Sequence, residues 1–232
     1  MFSLHGYGPS IFEGTILTLE VSLVSLFIAM LLGISGALAK ISNSAVLRGF
    51  ATVYTTVIRG VPDLVLMLLI FFGAQIMMNV FSDWLYDTFD IDYYININEF
   101  VAGVTTIGFI FGAYMAETFR GAFLAVDNGQ IEAGKAYGMS SFQVFRRITV
   151  PQMMRHAIPG IGNNWLVLVK TTALVSVIGL ADMVRLAKEA AGAVHEPFLF
   201  FIPVAMVYLA LTSVSEIFLK RLEIRFSAGT VR

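Results

Sequence analysis

Five apolar runs, each with no more than two charged residues, limit what this chain can fold into: about 16–39, 50–80, 100–119, 156–180 and 198–219. A helix needs roughly 20 apolar residues to cross the hydrocarbon core of a bilayer. Only helices and closed barrels satisfy their backbone groups there. Charged residues make up 13% of the chain and its mean hydropathy is +0.80, whereas a soluble domain carries about 25% charged residues. The expected fold class is therefore an all-α integral membrane protein, with five transmembrane helices in one domain spanning 1–232. There is no cysteine, which excludes disulfides and thiol chemistry. A net charge of −1 gives no nucleic-acid signal. Residues 1–15 hold no Lys or Arg, so no cleavable signal peptide is expected.

The second run is interrupted by Arg59-Gly60-Val61-Pro62-Asp63. Pro62 lacks a donor and Gly60 weakens a helix, so a break is expected. The third run is rich in small residues (Gly103, Gly108, Gly112, Ala113, Ala116) and belongs inside the bundle. Residues 81–99 read as an interfacial loop, with Asp83, Asp87, Asp90, Asp92 and Glu99 among Trp84, Tyr86, Tyr93 and Tyr94. Asp182–Glu196 reads as an amphipathic surface helix. Of 15 Lys and Arg residues, 11 fall in three segments that five spans place on one side: Lys40 and Arg48; Arg120, Lys135, Arg146, Arg147 and Arg155; Lys220, Arg221, Arg225 and Arg232. The positive-inside rule makes that side cytoplasmic. The C-terminus and the loop 121–151 are then expected inside, and the N-terminus outside.

The loop 121–151 is punctuated as two short helices, Asn128–Tyr137 and Ser141–Ile148. Asp127 with Gln130, and Ser140 with Gln143, have capping-box spacing. Gly138 suits a left-handed helix end, and Pro151 is expected to stop the second helix. Phe142, Phe145 and Ile148 form an apolar stripe. Spacing leaves two readings open: a linker, or an element that docks in a partner's groove.

Glu132-Ala133-Gly134, three residues, Gly138, nine residues, Ile148, one residue, Val150, Pro151 resembles the EAA signature of ATP-binding-cassette importer permeases (E-A-A, three residues, G, nine residues, I-x-L-P). Gly134 and Val150 are departures, both small or apolar. Arg59-Gly60-x-Pro62, Glu117-x-Phe119-Arg120-Gly121-Ala122 and Lys170-Thr171-Thr172-Ala173-Leu174 are similar to the polar amino acid subfamily. Other stretches, among them Pro159-Gly160-Ile161-Gly162-Asn163-Asn164-Trp165, resemble permeases of importers for histidine, lysine, arginine and ornithine. The resemblance covers nearly the whole chain. It implies a type I importer permease fold in the inner membrane, and coupling to an ATPase through Glu132, Ala133, Gly134, Gly138, Ile148 and Pro151. It implies no catalytic residue here, with ATP and Mg bound by a dimer of cytoplasmic ATPase subunits. A second homologous permease and a periplasmic or extracellular amino acid binding protein complete the implied assembly. The chain has no Gly-x4-Gly-Lys-Ser/Thr phosphate loop.

Ionisable residues in spans are functional candidates. The candidate substrate set is Asp63, Arg59, Glu20, Glu117 and Thr172. Asp63 follows the break, where unwound backbone lines cavities, although Arg59 four residues earlier also offers it an ion pair. Glu20 faces the path or snorkels to the interface. Glu117 pairs with Arg120 or meets substrate. Thr171 and Thr172 line the path or bond back to their own helix. Lys170, mid-span, requires a partner in this subunit or another. His5, His156 and His195 are not spaced for a metal. Two rival readings are weaker. Gly33-Ile34-Ser35-Gly36 matches the GxSG of rhomboid-type serine proteases, yet no span interior holds the histidine base. A secondary transporter commonly shows internal repeats, which this chain lacks.

Overall fold

The computed structural model describes residues 4–93 and 96–227; Tyr94 of the acidic segment and Arg232 of the basic tail fall outside them. The described residues fold as helices: α1 Gly8–Ile41, α2 Ala45–Gly60, α3 Asp63–Phe89, α4 Glu99–Leu124, α5 Asn128–Ala136, α6 Ser141–Val144, α7 Val150–Thr171, α8 Met183–Val194 and α9 Pro197–Ser227. A π turn, Phe145–Thr149, joins α6 to α7, and a 3-10 turn, Thr172–Ile178, follows α7. Five segments are long and apolar enough to cross a membrane: Gly8–Ile41, Asp63–Phe89, Glu99–Leu124, Ser141–Ile178 and Pro197–Phe226.

α4 is the bundle's centre, with about two thirds of its most apolar window buried. It runs parallel to α1 and packs along its length: Ser25 donates to the Val104 carbonyl at 3.3 Å. A Cβ on Gly108 would lie 2.6 Å from Ile28 Cγ2. Without side-chain bulk at such positions the two helices close to backbone distance, which is how helices associate where water supplies no hydrophobic drive. Gly33 and Gly36 serve the same contact against Met115 and Ala116. Ser35 between them donates to the Leu31 carbonyl at 2.8 Å, so the protease-like tetrapeptide is a packing element.

Three sequence expectations are corrected. The acidic segment is helical as far as Phe89 and ends where Asp90 takes a left-handed conformation, φ 55°. Asp83 and Asp87 therefore stand on the last turns of α3, because the apolar face of that helix continues through Leu85. Pro151 stops nothing. The π turn ends with the Val150 N–H bonded to Phe145 O. The lengthened turn absorbs the missing proline donor at the start of α7, as such insertions do elsewhere. The Asp127–Gln130 capping box is half made: Asp127 Oδ1 accepts from Gly129 N at 2.7 Å, and the Gln130 side chain instead accepts from Gln152 at 3.4 Å.

The acidic residues and α8 lie at one end of the bundle; α5, α6, Lys40 and Arg120 lie at the other. α8, capped by Asp182, packs against the start of α1, where a Cβ on Gly14 would sit 2.7 Å from Met183 N.

Candidate functional site

The chain unwinds between α2 and α3 as expected. Val61 (φ −112°, ψ 139°) and Pro62 (φ −57°, ψ 137°) are extended, because Pro62 lacks the N–H that would continue α2 and its ring disfavours a helical Val61. The break turns an amphipathic α2 into an apolar α3. It also sets Arg59 and Asp63 near Tyr114 of α4. The Arg59 guanidinium lies 5.6 Å from the Tyr114 ring centroid, a cation–π distance. Both Arg59 and Asp63 act electrostatically on the Tyr114 phenol. The two do not form an ion pair among the described residues. Helical spacing made that pair an option, but the two residues end up on different helices. Asp63 is half-buried and Arg59 is exposed. Sequence reasoning missed Tyr114. Its signal was a phenol three residues before Glu117 in a span otherwise built of small and apolar residues.

Three residues further along α4, Glu117 is occupied. Its Oε1 pairs with Lys40 Nζ of α1. Its Oε2 accepts from Arg120 Nε at 2.9 Å. Lys40 also donates to Thr55 Oγ1 of α2 at 2.6 Å. The cluster ties α1, α2 and α4 together at the basic end and leaves neither oxygen of Glu117 free.

The other candidates scatter. Glu20 is exposed and continues the outward stripe Ile16, Leu23 and Phe27 of α1. Thr172 is fully buried and its hydroxyl donates to the Val169 carbonyl at 2.6 Å; Thr171 likewise bonds to Val167 at 3.1 Å. Lys170 is exposed and has no ion pair among the described residues, which removes the option of a partner span within this chain. The break thus brings together Arg59 and Asp63, and does not gather Glu20, Glu117 or Thr172.

At the basic end the hairpin is built by its caps. Asp127 caps α5. Gly138 turns the chain at φ 78°, a region where other residues are strained. Ser140 and Gln143 form a complete capping box on α6. Gly134 is the buried contact between the two arms: a Cβ there would meet Ile148 Cδ1 at 2.6 Å and Val144 Cγ2 at 3.2 Å. Ile148 is accordingly half-buried. Phe145 stacks on Phe123 at 6.2 Å. The outer side of the hairpin is unpartnered: Glu132, Ala133, Gly138 and Pro151 are exposed, as are Tyr137 (88%) and Phe142 (69%). Two aromatic rings therefore stand exposed on this capped hairpin.

Residues 26–228 match a protein family described as binding-protein-dependent transport system inner membrane component. The chain is 51% identical to the histidine/lysine/arginine/ornithine transport system permease protein HisQ of Salmonella typhimurium, over 99% of this chain and 98% of that protein. It is 38% identical to the octopine transport system permease protein OccQ of Rhizobium radiobacter, over 100% of this chain and 96% of that protein. Among solved structures it resembles a crystal structure of an amino acid ABC transporter with histidines (TM-score 0.79, 33% identity, 94% of this chain and 95% of that chain). It shares its fold with an inward-facing MetNI methionine ABC transporter (TM-score 0.65, 15% identity, 94% of each chain).

Proposed function

The chain belongs to the family of binding-protein-dependent transport system inner membrane components, and from that premise we propose how it works. It is a transmembrane permease subunit of an ATP-driven importer and not itself an enzyme, and it acts in the inner membrane. Full-length identity to permeases named for histidine, lysine, arginine, ornithine and octopine supports basic amino acids as its substrates. Membership implies a partner permease, ATPase subunits that bind ATP and Mg, and a substrate-binding protein. We assign the pairing as a heterodimer with a homologous permease and place the binding protein outside. The charge asymmetry between the two ends supports an outer N-terminus and an inner C-terminus.

The exposed outer side of the α5–α6 hairpin carries the coupling role. In this reading Glu132, Ala133 and Gly138, with the flanking Tyr137 and Phe142, seat in a groove of the ATPase. Gly134 and Ile148 hold the two arms together, and Pro151 with its π turn makes the hairpin continuous with α7. ATPase closure then moves α7 as a lever and alternates the access of the pathway. Asp63, with Arg59 and Tyr114 beside it, offers the carboxylate that receives the substrate's cationic group as it passes the Pro62 break. Glu20, Glu117 and Thr172 stand outside that cluster, and Glu117 serves as a structural tie.

Reconstitution with partners tests the substrate role. Asp63→Asn is expected to lower arginine uptake into ATP-loaded proteoliposomes while the complex still assembles. Unchanged uptake would leave Asp63 only structural.

A further inference from the structure

α9 has a groove on each flank, and the two differ in chemistry. One, between α1, α7 and α9, has a volume of about 500 Å³ and is walled by Leu26, Ile161, Trp165, Val214, Phe218 and Leu222, with Ser215 as its one polar side chain among the described residues. From Val214 to Leu222 it follows α9 for about 12 Å towards the basic end. The other groove carries Asn163, Glu216, Lys220 and Glu223.

Two observations say what covers the apolar groove. Its stripe on α9 runs on into cations: Val214, Phe218, Arg221 and Arg225 follow at intervals of four, three and four, which keeps them on one face of a helix. Arg221 and Arg225 are exposed and form no ion pair among the described residues. They stand one turn apart, a like-charge arrangement that an anion between them relieves. Independently, the acids of α9 are held elsewhere. Glu216 and Glu223 lie on the opposite side of the helix. There Glu216 pairs with Lys220 at 2.9 Å, and Glu223 acts electrostatically on the same lysine. The apolar groove therefore ends at two guanidinium groups with no carboxylate of α9 beside them.

Charge selects the occupant. A span of the partner permease would suit the apolar wall. A homologous permease is basic at the same end by the positive-inside rule, however, and would bring like charge to Arg221 and Arg225. A phospholipid supplies both parts: an acyl chain for the wall and, at headgroup depth, a phosphate that guanidinium groups hold by charge-assisted hydrogen bonds. Two unpaired cations further select a headgroup with net negative charge. We propose that this groove is a binding site for one anionic phospholipid of the leaflet at the basic end. Its acyl chain lies against Trp165 and Phe218, and its headgroup meets Arg221 and Arg225.

Trp165 gives the site its own reporter. The complete importer is placed in nanodiscs containing phosphatidylglycerol or phosphatidylcholine with the same chain-brominated acyl groups. Bromine quenching of Trp165 is read as the difference in fluorescence from a Trp165→Phe variant. Phosphatidylglycerol is expected to reach half-maximal quenching at about fivefold lower mole fraction, the scale of one arginine near an anionic surface. Arg221→Gln/Arg225→Gln should remove that preference and leave quenching by phosphatidylcholine as it was. Arg221→Lys/Arg225→Lys, which keeps the charge, should retain most of it. Equal quenching by the two lipids in the unmutated importer overturns the headgroup site, as does a preference that survives the glutamine variant. Absence of Trp165-dependent quenching by either lipid overturns the proposal and gives the groove to the partner permease. Release of the ATPase by the glutamine variant assigns the arginines to that contact and overturns it too.

Discussion

Replacing Glu117 by Gln distinguishes a structural tie from a substrate contact. The Glu117 side chain is 17% exposed and pairs with Lys40, itself 10% exposed, and with Arg120, 39% exposed. Loss of the carboxylate leaves Lys40 with Thr55 alone. Breaking a buried pair by removing one partner costs about 3–5 kcal/mol. The Arg120 arm is solvated and contributes at most about 1 kcal/mol. The site opens at the basic end, so the low end applies, roughly 3 kcal/mol in all. For a chain of this size that lowers the melting temperature by roughly 6–12 °C. Thermal unfolding of the purified importer in detergent reads it directly. Lys40→Met in the Glu117→Gln background removes the stranded cation and is expected to recover more than half of the loss, a coupling visible in a double-mutant cycle. A substrate-contact role predicts the reverse pattern: an unshifted melting temperature, lost uptake and no rescue. That pattern would refute the reasoning.

Two other consequences are structural. Asp182, outside the spans, is fully buried and its carboxyl is pushed up to about 6 by burial. The folded state therefore holds a proton that the unfolded state has released between the ordinary carboxylate range and pH 6. Stability is full below that window and falls as pH rises through it, by on the order of 2–3 kcal/mol. Asp182→Asn should flatten a melting-temperature profile taken from pH 4 to pH 7; a profile that stays steep would assign the dependence elsewhere. Gly14→Ala places a methyl group against the Met183 backbone, which cannot rotate away, and is expected to cost about 1–3 kcal/mol. Gly49→Ala on α2 meets nothing within 4 Å and is expected to stabilise by up to about 1 kcal/mol. Equal melting temperatures for the two would contradict the close approach of α8 to α1.

Much of this fold is written in hydropathy and small residues. The five apolar runs, the break at Pro62, the left-handed Gly138 and the Ser140 capping box follow from local chemistry and are present in the structure. Boundaries were harder to read. Asp83 and Asp87 look like loop residues until α3 is seen to continue to Phe89. Pro151 looks like a stop because a π turn leaves no mark in the sequence. Individual roles were least legible, since they depend on which helices touch. Glu117 shows its neighbour Arg120 in the sequence, but Lys40 reaches it from 77 positions away. Tyr114 has meaning only once Arg59 is placed over its ring. Arg59 and Asp63 look like an ion pair four residues apart until Pro62 puts them on separate helices.

The central claim, that the α5–α6 hairpin transmits ATPase closure to the spans, is tested most directly by the ratio of ATP hydrolysed to arginine imported. Both are measured on the same proteoliposomes carrying Glu132→Ala. Glu132 is exposed and makes no ion pair among the described residues, so the fold has no reason to change. The predicted result is an intact complex whose uptake falls at least about tenfold while hydrolysis persists, the scale of one lost interfacial anchor. An unaltered ratio, with uptake at the unmutated rate, would contradict the account.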